Sequence, residues 1–430
     1  MKYIIATLGC KVNQYETQAM ESLLMSRGHE PAAPGEIADA VIVNTCAVTA
    51  ESGRKSRQTI RRLRHEHPGA VVAVCGCYAQ LEPEEMAEIG ASVIFGASDR
   101  ARTVDAVERA VLTGQGSTEI DKPFERRDFE ALPAGAVSGR TRAMLKIQDG
   151  CVNFCTYCII PYTRGRLRSL PIETAQAETV RLRDEGYREL VLTGIEIASY
   201  GRDLPEKPGL ADVVEAIAAV SGGMRLRLGS LEPTVITEDF CRRLAATGKL
   251  CRHFHLSLQS GCDRTLRAMN RKYDAGRFYE AVELLRRTFP GCALTADLIT
   301  GFPGETEADQ RETLAFIRRC GFADMHVFPY SRRPGTPADA MPEQCANAVK
   351  ARRAHEAQAV AEEMRRAFFM QSVGQTLPVL FETAEDGSFT GHSDTYLPVH
   401  VPGENLRGQI RNVEITAAAG DRLTGRLVSE

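Results

Sequence analysis

Short apolar runs recur along this chain, and almost every one is followed by an amphipathic helical stretch. In the first quarter the runs are residues 3–8, 40–44, 71–75 and 92–95, with helical periodicity over 14–27 and 52–65 between them. A continuous apolar run of this length suits a strand buried on both faces. Strands that alternate with helices run parallel, because each helix carries the chain back across the sheet. The spacing therefore predicts an α/β fold that begins with a doubly wound parallel sheet over residues 1–114. No GxGxxG opens the first helix, so dinucleotide binding gains no support.

The rhythm resumes after residues 115–140, which read as a linker rich in turn formers (Gly116, Pro123, Pro133, Gly135, Gly139). Six strand-like runs follow, at 143–148, 189–193, 225–230, 253–258, 293–299 and 324–329. Helical stretches at 172–185, 210–220, 275–288 and 307–320 lie between them. This predicts a partial (βα)6 barrel over 141–370, ending in a long polar helix near 344–370. Residues 371–430 change character: short β-like runs at 376–382, 388–391, 395–401, 408–418 and 422–428 predict a small OB-like β-barrel. That last segment carries four arginines against eight acidic residues, which is unlike a general RNA clamp. A face near Arg407 and Arg411 is its basic part.

The cysteines mark the ends of these runs. Cys151-Val152-Asn153-Phe154-Cys155-Thr156-Tyr157-Cys158 follows the first barrel strand, on the face where such folds do chemistry. Three thiolates cannot saturate a [4Fe–4S] cubane, so one iron is left open. A structural zinc is the competing reading, but it needs a fourth ligand, and none lies nearby in sequence. In the N-terminal part, Cys10, Cys46 and Cys77 each follow a strand and so converge on one sheet edge. They suit a second open cluster; the plain alternative is three buried structural thiols, and Cys75 competes with Cys77 for the third place. The chain has thirteen cysteines, an odd number that argues against a disulfide framework. Arg54, Lys55, Arg57, Arg61, Arg62 and Arg64 form a basic run just past Cys46, either a solvated helix face or a phosphate contact.

Opposite the second cysteine loop, the barrel strands end in small and polar residues. Gly194 and Glu196 end one, Ser230 and Glu232 the next, and residues 257–261 and 300–305 the two after that. Four such ends beside an unsaturated cluster point to a polar cofactor, although ordinary turns and caps use the same residues. An open iron can chelate the amino acid end of S-adenosylmethionine. The net charge is −3, so no global field recruits nucleic acid. No apolar run is long enough to span a bilayer and no signal-peptide layout opens the chain, so no membrane partner and a cytoplasmic location are expected.

Over nearly its whole length the chain resembles the radical S-adenosylmethionine methylthiotransferases. The resemblance rests on Gly9-Cys10 with Asn13, Asn44-Thr45-Cys46, Gly76-Cys77-Tyr78-Ala79-Gln80, the CxxxCxxC loop, residues 255–261 and residues 301–305. It implies that Cys10, Cys46 and Cys77 hold an auxiliary [4Fe–4S] cluster and that Cys151, Cys155 and Cys158 hold the radical-generating one. It implies S-adenosylmethionine contacts at Gly194, Glu196, Ser230 and Glu232, with Tyr157 on the adenine side. The last segment is similar to the family's TRAM domain.

Residues 8–16 (LGCKVNQYE) are similar to the MtaB branch, which methylthiolates C2 of N6-threonylcarbamoyladenosine, the purine 3′ of the tRNA anticodon. The resemblance implies that one S-adenosylmethionine methylates a sulfur on the auxiliary cluster. A second yields a 5′-deoxyadenosyl radical that takes hydrogen from C2. An aromatic C–H has no useful acidity, which is the physical reason for a radical, and no catalytic acid or base is assigned. A tRNA, a reduced electron donor such as flavodoxin or ferredoxin, and a sulfur source are the implied partners. Isopentenyladenosine in tRNA and a ribosomal-protein aspartate are the alternative substrates. A non-catalytic iron–sulfur RNA-binding or electron-carrier protein is the alternative of another class.

Overall fold

The structure is a computed structural model and describes residues 1–133, 141–385 and 387–428. Its first layer is a parallel sheet in the order Glu30–Pro31, Lys2–Thr7, Ala40–Thr45, Val71–Gly76, Val93–Phe95 and Ser117–Glu119. The central strands match the apolar runs, and both faces are covered. On one face, Met20 and Leu24 of helix Lys11–Ser26 and Val104 and Val107 of helix Arg100–Thr113 pack on Ile42 and Phe95. On the other, Ile60 and Leu63 of helix Ala50–Glu66 pack on Val41, Val43 and Val74. Two short edge strands escape the pattern because neither has a run of apolar residues. One of them, Ser117–Glu119, lies in the stretch read as a linker and adds to the sheet instead. Gly135 and Gly139 lie outside the described residues.

The six barrel strands form as expected, with one difference. The run 225–230 is two short strands, Arg225–Leu228 and Ser230–Leu231, separated at Gly229. The first pairs with Glu189–Gly194 and the second with His253–Gln259. The break lets one curved wall run from Arg142–Asp149 through Ala293–Thr300 to Asp324–Pro329. The wall does not close on itself: Arg142–Asp149 is flanked by the antiparallel pair Arg168–Ser169, and Asp324–Pro329 has no further strand among the described residues.

Helix Asn347–Ser372 leads to a closed five-stranded barrel, in the order Thr376–Glu385, Ser388–Ser393, Pro398–Pro402, Arg422–Leu427 and Ile410–Ala419. The small barrel is pinned to the larger one by arginines. Arg227 donates to the carbonyls of Ser393 (3.2 Å) and Asp394 (3.1 Å), and Arg225 to those of Pro378 (3.1 Å) and His392 (2.9 Å). Buried Glu189 neutralises both guanidiniums at 2.6–2.8 Å. No described helix is long and apolar enough to cross a membrane.

Candidate functional site: two cysteine trios

The parallel register carries Cys10, Cys46 and Cys77 to one edge of the sheet. Thr7 is paired with Asn44 and Thr45 with Gly76, so the three chains leave the sheet side by side. Two glycines shape the edge. Gly9 has φ +102°, and a Cβ there would lie 2.7 Å from Cys46 Cβ. Gly76 has φ +99°, and a Cβ there would lie 2.5 Å from the Thr45 carbonyl oxygen. Both positions need the left-handed freedom that glycine has and the small size that only it offers. Asn13 ties two of the loops together, its Nδ2 donating to the carbonyls of Leu8 (2.8 Å) and Thr45 (2.9 Å).

Cys75 and Cys77 part ways here. Cys75 is fully buried on the opposite face of the sheet, in the core with Ile42, Phe95 and Val104. Cys77 begins the short helix Cys77–Leu81 on the other side, where Arg164 Nε comes within 3.4 Å of its sulfur. Cys10 and Cys46 lie near enough to Cys77 for a thiolate there to disfavour ionising either of them. Burial itself pushes Cys46 up to about 11. Cys10 is exposed at a cavity, and the surrounding protein still raises its pKa by desolvation.

Cys151, Cys155 and Cys158 sit in the loop between strand Arg142–Asp149 and helix Ile160–Arg164. The Thr156 N–H donates to the Met269 carbonyl (3.1 Å), and Asn270 Nδ2 donates to the Phe154 carbonyl (3.0 Å). Burial pushes Cys151 and Cys158 up to about 12, and the neighbouring thiols add to the shift. Cys158 also senses Cys77, so the two trios face each other. In neither trio do all three sulfurs lie within 4.8 Å of one another. A tetrahedral zinc with Zn–S near 2.3 Å requires S···S of about 3.8 Å. Three soft thiols per group, set wider than a single ion allows, fit a cubane better than a zinc.

The strand-end residues gather beside the second trio. The Glu196 N–H donates to Gln148 Oε1 (2.6 Å), and its carboxylate lies 3.4 Å from Asn153 Nδ2 in the cysteine loop. Burial, with Glu232 nearby, raises the Glu196 carboxyl to about 7. Tyr157 packs in the cluster of Met269 and Phe302. Ser230 opens into the chamber. Gly194 has a packing role as well, since a Cβ there would lie 2.8 Å from both the Gln148 carbonyl oxygen and Ile197. One residue absent from the sequence reading joins this group. Arg271 Nη1 is 3.2 Å from Cys155 Sγ, and its Nη2 is 3.3 Å from Glu232.

A buried ionic network fixes how the two halves meet. Glu16, from the N-terminal sheet layer, pairs with Arg100 (2.9 Å), Arg164 (2.5 Å) and Lys146 (3.4 Å), all with fully buried side chains. Arg164 and Lys146 each also reach Asp149 at 3.2 Å. Burial alone would raise the Glu16 carboxyl, but the three cations hold it at about 2. Such networks add little net stability over an apolar core, yet losing one member strands the others. Their best-supported use is to set register, and here the register is that of one cysteine trio against the other.

Cys10 and Cys46 open into a chamber of two adjoining cavities, about 990 and about 680 Å³, that share Gly9, Cys10 and Phe328, the second also lined by Gly194 and Ser230. Its inner wall is lined by His253, His255 and His326 of the barrel and by Tyr396 of the small barrel. His255 lies 3.2 Å from Asp297 and 2.9 Å from Thr295. The two-residue strand period that puts His253 and His255 on one face was available in the sequence. The approach of Tyr396 was not. Half of the basic run is ion-paired: Arg54 with Glu51, Arg57 with Glu85 beside Tyr78, and Arg62 with Glu66, while Arg64 donates to the Ile89 carbonyl. Lys55 lines the larger cavity.

Residues 2–96 match the family described as "Uncharacterized protein family UPF0004", and residues 145–317 match the radical SAM superfamily. The threonylcarbamoyladenosine tRNA methylthiotransferase MtaB of Bacillus subtilis is 38% identical over 429 residues, covering 98% of this chain and 95% of that one. A tRNA-2-methylthio-N(6)-dimethylallyladenosine synthase of Cereibacter sphaeroides is 37% identical over 435 residues, covering 99% and 98%. Among solved structures, the radical S-adenosylmethionine methyltransferase TsrM of Kitasatospora setae shares the fold, with a TM-score of 0.56 at 15% identity over 79% of this chain and 77% of that one. On this evidence the chain belongs to the radical S-adenosylmethionine methylthiotransferase family, enzymes that use S-adenosylmethionine and two [4Fe–4S] clusters.

Proposed function

We propose that this enzyme adds a methylthio group to C2 of N6-threonylcarbamoyladenosine beside the tRNA anticodon, in the cytoplasm. The observation that carries the reading is that Cys10, Cys46 and Cys77 converge on one sheet edge, tied through Arg164 to the element that carries the CxxxCxxC loop, while Cys10 and Cys46 open into a chamber that Gly194 and Ser230 also line. Cys151, Cys155 and Cys158 hold the radical cluster in this reading, and Cys10, Cys46 and Cys77 the auxiliary one. When bound, the clusters and S-adenosylmethionine supply the radical and the sulfur. Gly194, Glu196, Ser230, Glu232 and Tyr157 hold the cofactor, and Arg271 fixes Glu232 against the Cys155 loop. No catalytic acid or base is assigned among the side chains.

Three bodies divide the work: residues 1–114 carry the sulfur side, 141–370 the radical side, and 371–430 close the chamber wall through Tyr396. A tRNA, a one-electron donor and a sulfur source are the partners this requires. Relatives named for dimethylallyladenosine are nearly as similar, so identity alone does not choose the nucleoside. Lys11 and the three histidines on the inner wall support the threonylcarbamoyl substrate. Nucleoside profiling of tRNA from a deletion strain tests the proposal. Loss of 2-methylthio-N6-threonylcarbamoyladenosine supports it, and an unchanged level overturns the substrate.

A further inference from the structure

Lys11 follows Cys10 directly and lines both the inner cavity and an adjoining one of about 390 Å³. Around it the cations are matched: Arg142 lies 2.7 Å from Glu382, and Arg227 lies 2.8 Å from Glu189. Among the described residues, no carboxylate lies within ion-pair distance of Lys11 Nζ. With Arg142 and Arg227 already matched, the Lys11 ammonium stands at both cavities with no carboxylate partner of its own, a charge-assisted donor for an anion that enters them. Tyr396 forms a flat wall beside it, stacked on His392 at 4.9 Å, with the Arg227 guanidinium 4.7 Å from its ring centre.

We infer that Lys11 is the subsite for a carboxylate on the N6 substituent of the target adenosine, and that it selects acidic N6 groups over apolar ones. This rests on the substrate proposed above. C2 and the N6 substituent flank the same ring nitrogen, so a base presented at the auxiliary trio brings its N6 group to that trio's edge, where Lys11 lies next to Cys10. An RNA phosphate offers the same anionic chemistry, and the test separates the two sources.

Affinities of the reconstituted holoenzyme would be measured for anticodon stem-loops carrying N6-threonylcarbamoyladenosine or its neutral methyl ester. The wild type should prefer the acid by about tenfold, the size of one charge-assisted hydrogen bond. Lys11→Gln should bring the two within about twofold, Lys11→Arg should keep the preference, and Lys11→Glu should reverse it. If wild type shows no preference, the threonylcarbamoyl reading itself fails. If wild type discriminates and both Lys11→Gln and Lys11→Glu still do, the Lys11 subsite is wrong. Equal weakening of both stem-loops in the variants would assign Lys11 to a phosphate and overturn the inference. Iron content of each variant establishes that its clusters assembled.

Discussion

Arg164 Nε lies 3.4 Å from Cys77 Sγ, although Arg164 ends the helix that follows the CxxxCxxC loop and Cys77 belongs to the N-terminal sheet. The same guanidinium meets Glu16, Asp149 and the Asn13 side chain. One side chain therefore holds the distance between the two cysteine trios. Arg164→Met should leave Glu16 and Asp149 short of a buried cation and cost about 3–5 kcal/mol of stability. Denaturant unfolding of the apo chain measures this. A loss below about 1 kcal/mol would mean that water or Lys146 takes over the charge.

The cysteine trios predict separable defects. Cys155→Ala should abolish reductive cleavage of S-adenosylmethionine, read as 5′-deoxyadenosine. Cys77→Ala should keep most of that cleavage and stop methylthio transfer, because the sulfur side alone is lost. Cys75→Ala should do neither, since that thiol is buried in the opposite core. Product from Cys77→Ala but none from Cys75→Ala would reverse the assignment.

Gly9→Ala asks whether the edge geometry matters without touching a thiol. The added Cβ meets Cys46 at 2.7 Å, and φ is +102°, so both contact and backbone oppose it. The expected outcome is loss of the auxiliary cluster alone, with iron falling from roughly eight to roughly four per chain. Iron analysis with 5′-deoxyadenosine formation checks it: full iron content would show that the loop can shift.

Why some of this was readable in advance and some was not follows from where the signals lie. Cys10, Cys46 and Cys77 could be brought together because a parallel sheet puts all its strand ends on one edge, and the apolar runs located those ends. The buried charges could not. Lys146 sits in a strand and Glu16 on a helix, and each reads as a solvent-facing residue by its own local pattern. Both have no exposed surface because they face each other across two layers. Arg271 and Tyr396 likewise reach the site from loops, whose course depends on packing rather than on periodicity.

Glu16 also gives a pH prediction. Its folded pKa of about 2 lies below the ordinary 4.5. A depressed carboxyl contributes stability that is fully present above the unfolded value and is lost as pH falls toward the folded one. Stability of the apo chain should therefore decline between about pH 4.5 and pH 2, with Glu16 supplying part of the slope. Glu16→Gln should be less stable at pH 7 and show a shallower decline over that window. An unchanged acid slope would remove Glu16 from the account.

Glu196 moves the other way, and its function follows from the sign. Burial and Glu232 raise it to about 7, so it is neutral below that pH and a carboxylate above it. A cationic ligand binds the carboxylate and not the acid. If Glu196 holds the positively charged cofactor, S-adenosylmethionine affinity should rise by up to about tenfold per pH unit on the acid side of 7 and level off above it. Binding near pH 7 should then release a fraction of a proton, measurable by calorimetry in buffers of different ionisation enthalpy. Glu196→Gln cannot lose that proton, so its affinity should be weaker above pH 7 and nearly independent of pH. A variant that keeps the wild-type profile would remove Glu196 from the account.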